Sequence, residues 1–258
     1  MQVDGKVIVV TGGASGIGRA LCERFAAMGA AKVVVADLNV QGANAVADLI
    51  DGDWMRCDVS VEADIAGLIE ATERRHGSID LFCSNAGIAA GFDPDAPNAA
   101  FADDAVWQKS WLINVMAHVY AARNLLPSMI VRGNGYFLNT VSAAGLLTQL
   151  GSAVYATTKH AAVGFAESLA ISHRKHGVRV SILCPQGVDT PMLQGLPQGP
   201  QSRDGVITAA DVARSAAEGI EQERFLILPH PQVAEYMSRK VSGYDRWISG
   251  MAKLQDQF

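Results

Sequence analysis

The sequence predicts an α/β fold built on a doubly wound parallel sheet, and three observations carry the prediction. Short β-branched runs alternate along the chain with longer stretches of helical periodicity. Several of the short runs are apolar throughout, the pattern of strands covered on both faces. The first of them leads into a glycine-rich turn that opens a helix. Parallel neighbours need crossover connections, so the alternation places helices on both faces of one sheet. The 258 residues, 49% of them hydrophobic, suffice for one sizeable core. No linker or internal repeat divides them, so residues 1–258 are expected to form a single domain.

The elements follow in order. Lys6–Val10 (KVIVV) is the first strand, and IGRALCERFAAMG after Gly16 is a helix stopping at the C-terminal glycine Gly29. Lys32–Asp37 (KVVVAD) is the second strand and Val40–Ile50 the second helix. Trp54–Val59 (WMRCDV) is a weaker strand, followed by a helix over Val61–His76. Ile79–Asn85 (IDLFCSN) is a strand, and one long helix is expected over Asp104–Arg132. Gly135–Ser142 (GYFLNTVS) and Val178–Pro185 (VRVSILCP) are strands on either side of a helix over Tyr155–His176. Gln194–Gly205 is rich in Gly and Pro. A loop this long in a compact domain marks a lid or binding loop, which defines a substrate loop at about residues 189–208. A helix over Ala209–Glu223 follows, and Val233–Phe258 reads as a C-terminal helical tail beginning at about residue 232.

Composition excludes several classes of function. The formal net charge is −5 and charged residues make up 18% of the chain, without Lys/Arg runs. Neither nucleic acid nor an anionic membrane is therefore an expected partner. The densest basic patch, His173–His176, falls late in a helix, where cations complement the dipole. Cys22, Cys57, Cys83 and Cys184 form no CxxC pair and are expected to be reduced, packed thiols of a cytoplasmic protein. The six histidines show no ligand spacing, so no metal is expected. MQVDGK leads straight into VIVV, so no signal peptide is expected, and no stretch is long and apolar enough to span a bilayer.

The first strand runs into TGGASGIG, Thr11–Gly18. Strand, glycine-rich turn and helix together aim backbone N–H groups at a pyrophosphate. Gly12, Gly16 and Gly18 are spaced differently from GxGxxG, and such a turn alone is also compatible with a purely structural role. Asp37 ends the second strand 19 residues after Gly18. A carboxylate there accepts hydrogen bonds from ribose hydroxyls and repels a 2′-phosphate, which favours NAD over NADP; the competing reading is a helix cap. No basic residue stands at Gly13, Ala14 or Leu38 to receive that phosphate, and Arg19 is the nearest. Asp58 and Val59 follow the third strand, and Asn85, Ala86 and Gly87 follow the fourth. Carboxyl ends of parallel strands are where open α/β sheets bind ligands. Asp58 can reach an adenine amino group, and Asn85–Gly87 let the backbone pass close to the cofactor.

These residues resemble the short-chain dehydrogenase/reductase family. The resemblance rests on TGGASGIG, Asp37, Asp58-Val59, Asn85-Ala86-Gly87, Asn114, Ser142 and Tyr155-x-x-x-Lys159, in the family's order over roughly residues 5 to 192. It implies a single Rossmann-type domain with a seven-stranded parallel sheet. It also implies a homodimer or homotetramer with the Asp104–Arg132 and Tyr155–His176 helices between subunits. By the same resemblance Gly12, Ser15, Gly16, Ile17, Gly18, Asp37, Leu38, Asp58, Val59, Asn85, Ala86, Gly87, Tyr155, Lys159, Val188 and Thr190 bind the cofactor. Asn114, Ser142, Tyr155 and Lys159 are the catalytic set. Two positions depart from the pattern. Ser84 stands where the family has Asn, and Gln186 follows Pro185 where the family has Gly.

The side chains support that chemistry. Tyr155 and Lys159 are i and i+4 on one helix face. Tyrosine is a poor base at neutral pH, and a nearby ammonium lowers its pKa. Ser142 can hold a substrate oxygen and stabilise developing charge. Asn114 lies inside a helix, and the resemblance implies that it anchors a water linking Lys159 to solvent. The expected activity is interconversion of a secondary alcohol and a ketone with NAD. Candidate pocket segments offer Leu146, Leu147, Leu150, Met192 and Leu193 and few charges, suiting a mainly apolar substrate. The competing readings are an NADPH-preferring ketone reductase and a dinucleotide-binding protein without turnover.

Overall fold

The computed structural model describes residues 1–93, 96, 98–196 and 199–257. The Rossmann-like halves begin with β1 (Val7–Thr11), α1 (Gly16–Ala27), β2 (Lys32–Asp37), α2 (Val40–Leu49), β3 (Asp53–Arg56) and α3 (Glu62–His76). They continue with β4 (Leu81–Ser84), α4 (Asp104–Trp111), α5 (Ala117–Arg132), β5 (Gly135–Thr140), α6 (Ala153–His173) and β6 (Val178–Leu183). The two short strands β7 (Val188–Asp189) and β8 (Ile207–Thr208) flank α7 (Pro191–Gln194). Then come α8 (Ala209–Glu221), β9 (Leu226–Ile227), α9 (Gln232–Ser242) and α10 (Tyr244–Gln255).

Seven strands form one parallel sheet in the order β3-β2-β1-β4-β5-β6-β9, and β7 pairs with β8 beside it. Side chains alternate across each strand, and both faces are covered. Val9, Val34, Phe82 and Phe137 pack with Ile65, Leu68, Leu125, Met129 and Ala166 from α3, α5 and α6. Ile8, Val10, Val35, Leu81 and Leu138 point the other way, to Leu21, Phe25, Val212 and Ile220 from α1 and α8. The chain winds outward from β1 through β2 to β3, then returns to place β4 on the other side of β1. That reversal opens a crevice beyond the carboxyl ends of β1 and β4.

Four expectations on elements are corrected. The long helix over Asp104–Arg132 contains a π turn, Leu112–Met116, between α4 and α5. Asn114 sits in this turn, and the wider helix there accommodates an inward amide tied to the backbone of Ile88. β3 ends at Arg56 rather than Val59, because local side chains replace the ladder: the Asp58 N–H donates to Asp64 and Asp58 accepts from Ser60. α6 begins at Ala153, where Ser152 caps it by accepting from the Tyr155 N–H. The expected loop Gln194–Gly205 is partly structured, since Gln194 ends α7 and Pro200–Ser202 forms a 3-10 turn. Pro197 and Gln198 of that loop, and Phe258 of the tail, lie outside the described residues. All four cysteines are buried free thiols. Among the described residues no helix is long and apolar enough to cross a membrane.

Candidate active site

The glycine turn is held in place from both sides of the crevice. Gly12 has φ +67°, and a Cβ there would lie 2.9 Å from the Ala86 Cα. A Cβ on Gly18 would collide with the Gly12 carbonyl oxygen. The backbone passes are therefore as close as sterics allow, and any larger side chain would push the turn, the cradle of the crevice, away from Ala86 and from the start of α1. Asn85 fastens it: its amide nitrogen donates to the Thr11 carbonyl at 3.0 Å, and its N–H donates to the Thr11 hydroxyl. The Asn85 side chain thus shapes the turn, a role that turn residues alone did not disclose.

Asp37 stands at the carboxyl end of β2 beside this cradle. One carboxylate oxygen accepts from the Ala14 N–H at 3.0 Å and the other from the Asn39 N–H at 2.9 Å. Asn39, not Asp37, caps α2, accepting from Gly42. A carboxylate has about four acceptor directions, so Asp37 retains capacity for further donors. Asp58 is held below its ordinary pKa by the Ser60 hydroxyl, which outweighs the opposing effect of burial, and the Ser60 N–H adds to it. Thr190 caps α7 and packs against the outer side of the turn, 3.2 Å from where a Gly16 Cβ would stand.

The other end of the crevice carries the polar cluster. Ser142 follows β5 and its hydroxyl accepts from the Ala144 N–H at 3.1 Å. Tyr155 lies in the first turn of α6, its ring 5.9 Å from that of Phe92. Lys159, 4% exposed, donates to the Thr140 carbonyl at 3.3 Å and lies 5.6 Å from the Tyr155 ring centroid. Asn114 is buried behind them, bonded to both the N–H and the carbonyl of Ile88 and to the Thr158 hydroxyl. Gly87 brings this amide and the lysine together: a Cβ there would sit 3.2 Å from Asn114 Oδ1 and 3.4 Å from Lys159 Nζ.

The electrostatics correct one expectation. In the protein alone burial pushes the Tyr155 phenol above its ordinary pKa, while the Ser142 hydroxyl pulls the other way. Lys159 is not among the groups that shift the phenol in the protein alone, and burial lowers its own pKa to about 8.

A cavity of about 1100 Å³ joins both ends. Gly12, Ser15, Gly16, Ile17, Gly18, Asp37, Leu38, Asp58, Val59, Asn85, Ala86, Gly87, Ser142, Tyr155, Lys159, Val188 and Thr190 all line it. Asn114 is the one expected residue set behind the wall. Thr140, Pro185 and Gln186 line it as well. The expectation of few charges is overturned at the substrate end, where Arg203, Asp204, Arg239, Arg246 and Lys253 form part of the rim. These come from the loop and the tail, whose paths no local pattern encodes. Trp247, Met251 and Leu254 line the cleft from α10, and their i, i+4, i+7 spacing was a readable sign of one helix face.

His118, one turn after Asn114, is 2% exposed, and among the described residues its ring nitrogens make no well-aligned hydrogen bond, the backbone of Asn114 acting on the ring only weakly. Burial, then the charge of Lys159, push its pKa down to about 3. Below about pH 6.5 the unfolded chain takes up a proton that the folded chain refuses. This part of the stability is therefore present at pH 7 and lost progressively as pH falls toward 3. Between pH 7 and pH 5 the loss is about 2 kcal/mol. Urea unfolding at the two pH values measures it, and His118→Leu is expected to flatten the slope; an unchanged slope would place a charged partner beside the imidazole.

The family model described as short chain dehydrogenase matches residues 6–201. The sex determination protein tasselseed-2 of Zea mays is 36% identical over 195 residues, covering 74% of this chain and 58% of that protein. The 1-deoxy-11-beta-hydroxypentalenate dehydrogenase of Streptomyces exfoliatus is 34% identical over 241 residues, covering 88% of this chain and 84% of that protein. Among solved structures, a short chain dehydrogenase/reductase from Burkholderia phymatum in complex with NAD superposes with a TM-score of 0.83. It is 30% identical, and the match covers 95% of this chain and 96% of that one.

Proposed function

This chain belongs to the short-chain dehydrogenase/reductase family, and we propose that it is an NAD-dependent oxidoreductase interconverting a secondary alcohol and a ketone. One observation carries the reading: Tyr155, Lys159 and Ser142 line the same cleft as the glycine cradle and Asp37. The turn fits a pyrophosphate, since Ser15, Gly16 and Ile17 line the cleft at the N-terminus of α1, where backbone N–H groups lack helical partners. Asp37 receives the adenosine ribose hydroxyls, Asp58 the adenine amino group, and Val188 and Thr190 the carboxamide edge. NAD, when bound, supplies the acceptor for the substrate's hydride.

The residues of the chain handle the proton and the oxygen. The Ser142 hydroxyl orients the substrate oxygen and stabilises charge developing on it. The Tyr155 hydroxyl exchanges a proton with that oxygen, giving it in ketone reduction and taking it in alcohol oxidation. Lys159 holds the ribose next to the nicotinamide and supplies positive charge beneath the phenol. Asn114 fixes the segment at Ile88 and, with an anchored water, connects Lys159 to solvent. The apolar walls at Leu147, Leu150, Met192 and Leu193 take the body of the substrate. A relative named as a hydroxypentalenate dehydrogenase supports a substrate that carries a hydroxyl.

The test is a panel of secondary alcohols with NAD, read as NADH absorbance, alongside cofactor titration of the wild type and Asp37→Ala. Wild type is expected to prefer NADH over NADPH, and Asp37→Ala to lose about tenfold of that preference, roughly one hydrogen-bonded charge contact. A wild type that prefers NADPH contradicts the ribose argument.

A further inference from the structure

We propose that Lys240 is a positioning residue that pegs the C-terminal helices onto the substrate end of the cleft. Only its kinetic consequence rests on the oxidoreductase reading above. Lys240 lies on α9 and is 8% exposed. Its Nζ donates to the carbonyls of Leu146 at 2.9 Å and Leu147 at 2.7 Å, and lies 3.5 Å from His160 Nε2. His160 Nδ1 is 2.9 Å from the Ala156 carbonyl. A carbonyl only accepts, so Nδ1 carries the proton and Nε2 is left as an acceptor. The three donors of the amine thus meet three neutral acceptors.

A buried amine without a carboxylate is costly unless every donor is bonded, and here the bonding is complete. What it ties together gives it a purpose. The Leu146 and Leu147 carbonyls follow the 3-10 turn Ala143–Gly145, which Ser142 caps. His160 follows Lys159 on the helix that also carries Tyr155. One side chain therefore bonds the tail both to the segment after Ser142 and to α6. An apolar seam runs beside it, with Val233 of α9 packed against Ala143 and Leu147.

The wall of the substrate end depends on this attachment. α10 contains no buried residue and packs mainly against α9, yet its Trp247, Met251 and Leu254 line the cleft. The position of that wall follows α9, which the Lys240 bonds hold together with the seam, where Trp247 also packs, and with the Tyr236 hydroxyl's bond to Asp204 at 2.9 Å. Removing Lys240 loosens the wall facing the alcohol and leaves the cofactor cradle at β1 and α1 untouched.

Lys240→Met and Lys240→Arg test this by amide hydrogen exchange and steady-state kinetics. In Lys240→Met, exchange is expected to rise by about tenfold in both 143–147 and 232–255 and to stay unchanged in 7–27. The alcohol KM is expected to rise about tenfold with a smaller change in kcat, the NAD KM to stay within about twofold, and Lys240→Arg to recover part of the loss. Exchange like that of the wild type in either segment, or a KM for NAD that rises with that for the alcohol, overturns the proposal. Should Lys240→Met fail to fold, His160→Leu, which removes one acceptor, must still raise exchange in the tail; exchange confined to α6 overturns it. A wild type that oxidises no alcohol ends the oxidoreductase reading, while the exchange result still decides the peg.

Discussion

Tyr155→Phe is expected to lower kcat by about 10²- to 10⁴-fold, the contribution of a positioned proton-transfer group. The change deletes one oxygen. The ring keeps its packing beside Phe92, and the backbone N–H keeps its cap bond to Ser152. NAD affinity and unfolding temperature are therefore expected to stay near wild type. Burial holds the phenol protonated in the protein alone, which suits donation to a ketone. Alcohol oxidation needs the opposite state, and the positive charge of Lys159 and of oxidised nicotinamide favours it when both are present. Stopped-flow NADH formation together with cofactor titration separates the two effects. Unchanged turnover removes Tyr155 from the mechanism.

Lys159→Met is expected to reduce kcat/KM by at least about 10²-fold and also to stabilise the fold. The sign follows from its depressed pKa. Burial lowers it from 10.5 to about 8. Between those values the unfolded chain holds a proton that the folded chain has released, so stability linked to Lys159 rises with pH across this window. Below about pH 8 both states are charged, and the folded state bears the full cost of burying the charge. Methionine removes that cost, a gain of about 2–3 kcal/mol at pH 7 that shrinks toward pH 10.5. Urea unfolding of both proteins at pH 7 and pH 10 measures it. A destabilised variant at pH 7 would show that the bond to the Thr140 carbonyl outweighs desolvation. A stabilised variant at pH 7 would mark Lys159 as a group kept against the interest of stability, as expected of one retained for chemistry.

The parts of the molecule that the sequence disclosed are those governed by local rules. Apolar runs such as Val7–Thr11 and Lys32–Asp37 announce strands covered on both faces, and TGGASGIG announces the turn where backbone must approach backbone. β9 is two residues long, too short to carry a period, and only the implied seven strands anticipated it. The π turn at Asn114 was hidden because the helix pattern continues through it. What breaks the α pattern is a tertiary contact, the bonds to Ile88. The same limit applies to the substrate end. Arg203 and Arg246 reach the rim through the path of the loop and the packing of α10 on α9. Lys240 reads as an ordinary surface lysine of an amphipathic helix until its partners at Leu146, Leu147 and His160 are known. The pKa balance at Tyr155 in the protein alone is hidden for a related reason, since helical spacing gives the neighbour Lys159 but not the burial that works against it.

A crystal structure of the chain with NADH tests the central claim most directly. The account predicts the pyrophosphate over the N-terminus of α1, the adenosine ribose hydroxyls on Asp37, and the nicotinamide beside the Tyr155 hydroxyl and the Lys159 amine. A nicotinamide seated away from that pair, or the phenol turned out of the cleft, would contradict it.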